Sequence, residues 1–349
     1  MGKFHTLSIK EIIRETERAV SLVFDVPTEL KNEFSFKAGQ YITIKSLIQG
    51  KEVRRAYSIC SAPNSDELKV TIKEVNGGVF SGLANNKMKA GDVLEVHPPE
   101  GKFILEPELS EENNYAAFAA GSGITPVLSI IKTVLLEEKN SRFYLVYGNK
   151  TPQETIFFKE LLDLQSQYAG RLFIEFVYSQ TQEENAHFGR IDNSTVNYIL
   201  KNAFENKKIK TFYLCGPEEM IKQVSSVLNE NGVQEEQIKY ELFSTQDEGS
   251  VESTLDGNTT VTVTVDDEEK TFVMPQSSSI LDAALEQGMD VPYSCQGGIC
   301  SSCVARIIEG TAEMKKNQIL TDGEIAEGLI LTCQAHPTTS VVKVDYDDV

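Results

Sequence analysis

Near its C-terminus the chain reads Tyr293-Ser-Cys-Gln-Gly-Gly-Ile-Cys-Ser-Ser-Cys303, and Leu331-Thr-Cys-Gln334 follows later. The spacing is C-x4-C-x2-C with a fourth cysteine about thirty residues on, which is typical of a [2Fe–2S] cluster whose irons each take two thiolates. A zinc site or a redox disulfide is the alternative, but paired C-x2-C zinc sites have a different spacing. We therefore predict an iron–sulfur centre with four metal ligands: Cys295, Cys300, Cys303 and Cys333.

The residues before these cysteines predict a small domain of their own, 259–349. Val261–Val265 is a strand candidate, the acidic turn at 266–269 follows it, and Lys270–Met274 can return as its partner. The run from Ser279 to Gly288 predicts a short helix with a serine cap and a terminal glycine. The polar, acidic stretch 244–258 is predicted to be a linker.

The N-terminal part of the chain, 1–109, predicts an antiparallel β-barrel or sandwich. Short apolar or alternating runs begin near Val20, Tyr41 and Leu68 and cover Val93–Val96, and glycines separate them. From 110 to 243 the pattern changes, because apolar strands such as Tyr115–Ala120 and Leu172–Tyr178 alternate with helices, one of which is predicted over Ile156–Leu164. Such alternation indicates a doubly wound parallel sheet.

Composition narrows the class of protein. A length of 349 residues suits two or three domains, and 40% hydrophobic with 24% charged residues indicates a globular chain. The net charge of −19 argues against a nucleic-acid binder, and 259–349 alone holds five basic and fifteen acidic residues. That acidity is equally compatible with a solvated surface and with docking on a basic partner. With no apparent leader, no transmembrane run and six cysteines that suit reduced thiols, we expect a cytoplasmic protein.

The run Gly121-Ser-Gly-Ile-Thr-Pro126 follows an apolar strand and opens an amphipathic helix. Glycines permit close backbone approach to a phosphate, and a helix N-terminus supplies unpaired N–H groups. A plain turn between strand and helix is the alternative. The context favours a pyrophosphate site with Gly121, Ser122, Gly123 and Thr125.

Two further motifs are less specific. Arg54-Arg-Ala-Tyr-Ser58 places an arginine beside an alternating tyrosine, which suits a flat anionic ligand, although a surface arginine and a half-buried strand tyrosine explain the motif better when it is taken alone. Cys215-Gly216-Pro217 ends a strand and starts a helix at the edge of the sheet where α/β ligands bind.

In this order, the motifs resemble the ferredoxin–NADP reductase superfamily in the form with a C-terminal plant-type ferredoxin domain. The resemblance covers nearly the whole chain and implies an FAD-binding β-barrel, an NAD(P)-binding domain and a β-grasp-like ferredoxin domain. Within the superfamily, three stretches resemble the reductase subunits of phenylacetyl-CoA epoxidases, which feed electrons to a di-iron oxygenase: Gly91–Phe103, Val291–Cys303 and Leu331–Pro337.

The resemblance also implies residue roles. Arg55 binds the FAD pyrophosphate, Tyr57 stacks on the isoalloxazine, and Ser58 hydrogen-bonds near the reactive N5. Cys215, Gly216 and Pro217 lie beside the nicotinamide, so that Tyr57, Ser58 and Cys215 shape the hydride path. The remaining FAD contacts are implied along the chain at Ala56, Ile72, Lys73, Gly78, Val79, Phe80 and Ser81.

The function implied is an NAD(P)H-dependent reductase that passes electrons through FAD and the [2Fe–2S] cluster to an acceptor protein, an oxygenase component or another redox protein. Members that use NADP often carry Ser-Arg where this chain has Ser179-Gln180; Lys150 or Arg190 could substitute, and both coenzymes stay open. Two alternatives are a non-enzymatic flavin and iron–sulfur carrier or sensor, and a reductase of free ferredoxin or flavodoxin or of a desaturase.

Overall fold

The structure is a computed structural model that describes residues 3–109, 111–243 and 257–349. Its backbone divides into two compact units. The larger unit comprises Phe4–Val53 and Tyr57–Ser244, and the smaller unit comprises Met1–Lys3, Arg54–Ala56 and Thr245–Val349. Most of the predicted linker, 244–256, lies outside the described residues.

The first sheet has six strands and is built from the N-terminal third of the chain. Its order is β4-β3-β6-β1-β2-β5, and the pairs β1–β2, β1–β6, β2–β5 and β3–β6 are antiparallel. Apolar side chains on one face of these strands form a core that includes Ile42, Val70 and Phe80. The strands and the single helix of this region are β1 (His5–Thr16), β2 (Ala19–Asp25), β3 (Tyr41–Ile48), β4 (Lys51–Ser58), β5 (Leu68–Lys73), α1 (Val79–Asn86) and β6 (Val93–Val96).

The second sheet is entirely parallel in the order β10-β9-β8-β7-β11-β12. Strand order reverses between β7 and β11, so the carboxyl ends of these two strands form the switch point where α/β proteins bind ligands. The elements are β7 (Asn114–Ala120), α2 (Ile124–Glu137), β8 (Arg142–Asn149), α3 (Phe158–Gln167), β9 (Leu172–Tyr178), β10 (Ala186–Phe188), α4 (Asn193–Asn202), β11 (Ile209–Gly216), α5 (Glu218–Glu230) and β12 (Ile238–Leu242).

The C-terminal part of the smaller unit contains a five-stranded mixed sheet in the order β14-β13-β19-β15-β17 and a two-stranded pair β16-β18. Helix α6 packs its buried residues into the core of this unit, and the Ser279 hydroxyl accepts a hydrogen bond from Asp282 N at its start, as predicted. The elements are β13 (Asn258–Val265), β14 (Glu268–Pro275), α6 (Ile280–Glu286), β15 (Val304–Glu309), β16 (Ala312–Met314), α7 (Asp322–Ala326), β17 (Leu329–Leu331), β18 (Ala335–Pro337) and β19 (Val341–Asp345).

The predicted fold class is confirmed: an antiparallel β domain, a doubly wound parallel sheet and an α+β C-terminal domain. One boundary differs, because the helix predicted from Ile156 begins at Phe158. Phe157 has φ of 61°, which a right-handed helix cannot include. Among the described residues, no helix is long and apolar enough to cross a membrane.

Candidate functional site: a pyridine-nucleotide and flavin centre with a four-cysteine site

The four predicted ligand cysteines form two pairs. Cys295 and Cys300 have their sulfurs 3.1 Å apart, and Cys303 is hydrogen-bonded to Cys333. The hydrogen bond between Cys300 and Cys295 lowers the pKa of Cys295, with help from backbone N–H groups of the loop, and raises the pKa of Cys300, so within this pair Cys295 is the thiol that ionises first. Thiolate character is what iron requires of a cysteine ligand.

This division into pairs favours a two-iron cluster over a mononuclear zinc site. A structural zinc site needs four ligands around one point, whereas each iron of a [2Fe–2S] cluster takes two thiolates. Within the part of the chain that the structure describes, no three His, Cys, Asp or Glu side chains converge on a single ion position. The donor set therefore fits the cluster that the spacing predicts.

The cysteine loop requires glycine at Gly298. Its φ is +71°, and a Cβ there would lie 2.6 Å from the carbonyl oxygen of Lys316. Gln318 N donates to the carbonyl of Gly298 at 3.0 Å, so the loop is docked closely on the chain near Gln318. The sulfurs of Cys300 and Cys303 are held in this loop, largely out of solvent.

At the switch point of the parallel sheet, the predicted glycine run forms a single 3-10 turn, Gly121–Gly123, before helix α2. A Cβ on Gly123 would lie 2.1 Å from the carbonyl oxygen of Cys215, so only glycine lets the two strand ends come together. The Thr125 hydroxyl donates to the Ser122 carbonyl at 3.0 Å and thereby stabilises the turn. The helix starts without a side-chain cap; Ile124 N–H bonds the Ser122 carbonyl and Pro126 has no N–H, so what this end offers a phosphate is chiefly the positive end of the helix dipole.

Lys73 brings a positive charge to the same turn. Its ammonium lies 3.4 Å from the position that a Cβ of Gly121 would take, and burial lowers its pKa. No hydrogen bond or ion pair holds this ammonium within the described residues. A half-buried, unpaired lysine beside this glycine turn is suited to an anionic group of a ligand.

The structure adds one carboxylate that the sequence analysis missed. Ser58 Oγ, at the end of β4, donates to Glu241 Oε2 at 3.0 Å, and Glu241 pairs with Cys215 across the parallel strands β11 and β12. Burial raises the pKa of Glu241 to about 8, and the hydrogen bond from Ser58 only partly opposes this shift. Burial also raises the pKa of the Cys215 thiol, with the Glu241 charge adding to the effect. Cys215 is thus a neutral thiol at the switch point.

Along β4 the two neighbouring arginines differ in their use. Arg54 is buried and its guanidinium donates to Asp290 Oδ1 at 2.8 Å. Arg55 is exposed, and its one hydrogen bond within the described residues goes to the carbonyl of Arg54. Arg55 is therefore the arginine left available for an anionic ligand, as the motif predicts. Tyr57 is half-buried and packs against Phe80 with ring centroids 5.7 Å apart.

The predicted phosphate segment Gly78–Ser81 forms the start of helix α1. Gly78 occupies the cap position without a side-chain hydrogen bond, so the first-turn N–H groups lack a capping side chain. The Ser81 hydroxyl accepts a hydrogen bond from Val75 N at 3.1 Å and so shapes the turn. The uncapped N–H groups, Val79 and Phe80 among them, fit the phosphate role better than this hydroxyl does.

The other predicted residues lie in the strands, the turn and the helix start that surround the site. Ile72 is fully buried in the core of the first sheet, and Pro217 caps α5 directly after Cys215 and Gly216. Ala56 and Ser122 lie half-buried on β4 and in the glycine turn.

Family models match three consecutive parts of the chain: an oxidoreductase FAD-binding domain over 6–104, an oxidoreductase NAD-binding domain over 118–226, and a 2Fe-2S iron-sulfur cluster binding domain over 263–338. One subunit of the 1,2-phenylacetyl-CoA epoxidase from Escherichia coli (strain K12) is 38% identical over 99% of both chains. The chain belongs to the ferredoxin–NADP reductase superfamily with a C-terminal [2Fe–2S] domain. A second relative in this superfamily, the ferredoxin reductase component of 3-ketosteroid-9-alpha-monooxygenase from Rhodococcus rhodochrous, is 32% identical over 97% of this chain and 96% of its own.

The solved structure of phthalate dioxygenase reductase has the same superfamily fold, with a TM-score of 0.64, 22% identity and 98% coverage of both chains. The chain is thus an NAD(P)H-dependent oxidoreductase of the ferredoxin-reductase type, with FAD and a [2Fe–2S] cluster as its cofactors. FAD accepts a hydride and releases single electrons, and the cluster carries one electron at a time.

Proposed function

We propose that the chain is the reductase component of an oxygenase of the phenylacetyl-CoA epoxidase type, and that its acceptor is the oxygenase component. The observation that carries this proposal is the 38% identity to the epoxidase protein of Escherichia coli over 99% of both chains. The 3-ketosteroid-9-alpha-monooxygenase component supports an oxygenase as acceptor in general, since it is a reductase component with a similar extent of match.

The nicotinamide ring is proposed to lie at the switch point between β7 and β11. There Glu241 accepts a hydrogen bond from Ser58 and pairs with Cys215 across β11 and β12, and the start of α2, with the positive end of its dipole, is proposed to face the pyrophosphate. Cys215 shapes the cavity as a neutral thiol, and Ser58 fixes the orientation of the Glu241 carboxyl group. When ionised, that carboxylate would stabilise the positive charge that develops on the ring as hydride leaves.

FAD is proposed to follow the strand β4 and the start of α1. Arg55 and the N–H groups near Val79 would bind its phosphates, Tyr57 would stack on its ring system, and the main chain near Ile72 would complete the contact. These roles rest on the exposure of Arg55 and on the uncapped helix start.

The domain boundaries proposed are 1–109, 110–243 and 259–349, and 244–258 is the proposed linker between the second and third domains.

The acidic surface of the C-terminal domain is proposed to dock on a basic surface of the acceptor.

A cytoplasmic location is proposed because none of the six cysteines is in a disulfide within the described residues, which suits a reducing compartment. For the coenzyme, Gln180 N donates to the carbonyl of Lys150 at 3.0 Å, so this lysine is next to the Ser179-Gln180 position where members that use NADP often carry Ser-Arg, and its ammonium lies 3.9 Å from Glu154 Oε2. NADPH is accordingly proposed as the preferred donor over NADH.

The test is anaerobic mixing of the purified protein with NADPH or NADH while flavin and cluster absorbance are followed separately. Rapid flavin bleaching followed by cluster reduction is expected, and phenylacetyl-CoA-dependent coenzyme oxidation should appear once the oxygenase component is added. Cys333→Ser should abolish the oxygenase-coupled rate and keep ferricyanide reduction by the flavin. A protein without cluster absorbance would contradict the proposal, and a flavin that neither coenzyme bleaches would contradict it and support a carrier or sensor.

A further inference from the structure

Helix α2 carries buried polar side chains, two of which reach the segment Cys60–Ser61 that follows strand β4. Ser129 is fully buried, Thr133 is 1% exposed, and the Lys132 side chain is 15% exposed. The helix begins at the glycine turn of the nucleotide site, so any contact made at Ser129 or Lys132 also restrains that turn. Buried hydroxyl and ammonium groups in an otherwise apolar helix are costly unless they are hydrogen-bonded.

Both Ser129 and Lys132 donate hydrogen bonds to main-chain carbonyls just after β4, the strand along which FAD is proposed to lie (the flavin strand). Ser129 Oγ donates to the carbonyl of Ser61 at 2.6 Å, and Lys132 Nζ donates to the carbonyl of Cys60 at 3.4 Å. Lys132 is held in place from the other side by Glu160 Oε1 on α3, at 2.5 Å. Helix α2 is therefore attached to the chain two to three residues after Ser58.

The segment Cys60–Ser61 is itself tied to strand β5. Cys60 N and Sγ both donate to the carbonyl of Lys69, and Ser61 Oγ donates to the carbonyl of Glu67. Strand β5 leads on to Lys73 beside the glycine turn. The contacts of α2 thus reach both strands that flank the proposed flavin position.

We propose that Ser129 and Lys132 are positioning residues for hydride transfer. By holding the carbonyls of Ser61 and Cys60, they set the distance and angle between the nucleotide turn at the start of α2 and the flavin strand β4. This inference rests on the proposed placement of FAD along β4 and of the nucleotide at Gly121–Gly123. Hydride transfer depends steeply on such geometry, since a displacement of about 1 Å can cost roughly 100-fold in rate.

Thr133 provides a matched control on the same helix. Its hydroxyl is as buried as that of Ser129, but it donates to the carbonyl of Ser129 within the helix, at 2.8 Å. Replacing it with valine removes a buried hydroxyl of α2 without touching the attachment to Ser61.

The experiment compares Ser129→Ala, Lys132→Met, their double variant, Lys132→Arg and Thr133→Val in the full-length protein loaded with FAD. Anaerobic stopped-flow mixing with NADPH gives the limiting rate of flavin reduction and the dissociation constant of the nucleotide. We expect the double variant to lose about tenfold in the limiting rate, with a dissociation constant within about twofold of wild type. Lys132→Arg should recover most of the rate, and Thr133→Val should match wild type.

Two readouts do not depend on turnover. The long-wavelength absorbance of the reduced protein with oxidised nucleotide, which reports the overlap of the two rings, should weaken in the double variant. Amide hydrogen exchange at residues 59–61 in the flavin-free protein should accelerate in the double variant and not in Thr133→Val.

A limiting rate and an absorbance band equal to wild type in the double variant would overturn the inference. So would a loss of rate that merely matches a loss of bound FAD, since that indicates a structural role alone. Failure of the underlying placement is distinguishable, because then Arg55→Ala would leave the affinity for FAD unchanged while the α2 variants behave independently of it.

Discussion

The hydroxyl of Ser58 donates a hydrogen bond to Glu241 over 3.0 Å, between residues that lie 183 positions apart in the chain. Ser58 ends β4 of the antiparallel sheet and Glu241 lies on the edge strand β12 of the parallel sheet. The bond therefore joins the two halves of the larger unit at the point where the flavin and nicotinamide are proposed to meet. The raised pKa of Glu241, about 8, makes the charge at this point sensitive to pH in the physiological range.

The rate of flavin reduction should rise with pH through the pKa of Glu241, because the ionised carboxylate stabilises positive charge on the nicotinamide. Glu241→Gln should remove this rise and lower the rate above pH 9 by roughly 10- to 100-fold. Ser58→Ala should move the apparent pKa upward, since it removes the bond that favours the charged form. Stopped-flow reduction between pH 6 and about 10 tests both; an unchanged profile in Glu241→Gln would count against this role.

The stability of the folded protein should change with pH in the direction opposite to the rate of flavin reduction, and fall as pH rises. The folded pKa of Glu241, about 8, lies above the value of 4.5 for an unperturbed carboxyl, so the folded state holds the proton more tightly between these values. The free energy of unfolding contributed by this group is fully present below pH 4.5 and is lost as pH rises towards 8. Glu241→Gln should therefore have the melting temperature of wild type in acid and a higher one at pH 9. The difference in free energy of unfolding between the two proteins should grow by at most about 1.4 kcal/mol per pH unit. Melting curves at pH 5 and 9 measure this, and a gap independent of pH would contradict it.

Lys73→Met should weaken nucleotide binding more than it slows chemistry. The unpaired ammonium beside Gly121 is positioned for a phosphate, so its loss should raise the dissociation constant of NADPH by about tenfold and flatten its dependence on salt. Lys73→Arg should keep most of the affinity. The exposed Lys89 of the same unit supplies the control variant Lys89→Met, and equal affinities for the two methionine variants would rule out this role.

Gly123→Ala should abolish reduction by the nucleotide. The added Cβ would lie 2.1 Å from the carbonyl oxygen of Cys215, so β7 and β11 must separate at the switch point. We expect a loss of more than about 100-fold in the flavin reduction rate, with cluster absorbance retained. Gly82→Ala is the matched control, because a Cβ at Gly82 meets nothing within 4 Å. Comparable rates in both variants would show that the strand ends tolerate separation.

Gly298→Ala should lower the cluster content of the protein and leave flavin binding unchanged. The Cβ would meet the Lys316 carbonyl at 2.6 Å in a backbone with positive φ, and the cysteine loop must shift to relieve it. Iron and acid-labile sulfide per FAD should fall severalfold, while ferricyanide reduction by NADPH stays near wild type. The control Gly323→Ala places its Cβ no closer than 3.9 Å to any neighbour. Full cluster content in Gly298→Ala would contradict this.

Much of the fold could be predicted because its signals are local. Periodicity and glycine placement predicted the bounds of Leu172–Tyr178 and Val93–Val96 as the structure has them. The start of α3 was missed because the left-handed conformation of Phe157 is set by its surroundings rather than by its residue type.

Only part of the site could be predicted, because the sequence reveals local motifs and not contacts between distant residues. The cysteine spacing and the glycine turn are contiguous motifs, whereas Glu241 joins the site only through the pairing of β12 with β11. The strand Ile238–Leu242 reads Ile-Lys-Tyr-Glu-Leu, and in this alternation of apolar and charged residues its glutamate gives no sign in the sequence of a place in the site. The placement of Arg54–Ala56 with the smaller unit likewise depends on tertiary contacts that no local pattern records.

The position of Glu241 on the last strand of the larger unit also has a consequence for biosynthesis. Contacts that close over long stretches of chain form late, and during translation residue 241 emerges only after the glycine turn and the flavin strand have been made. A nascent chain that stops short of Ile238 has those parts and lacks the carboxylate that is proposed to stabilise positive charge on the nicotinamide. We therefore expect the full rate of flavin reduction by the coenzyme only once β12 has been made and has paired with β11.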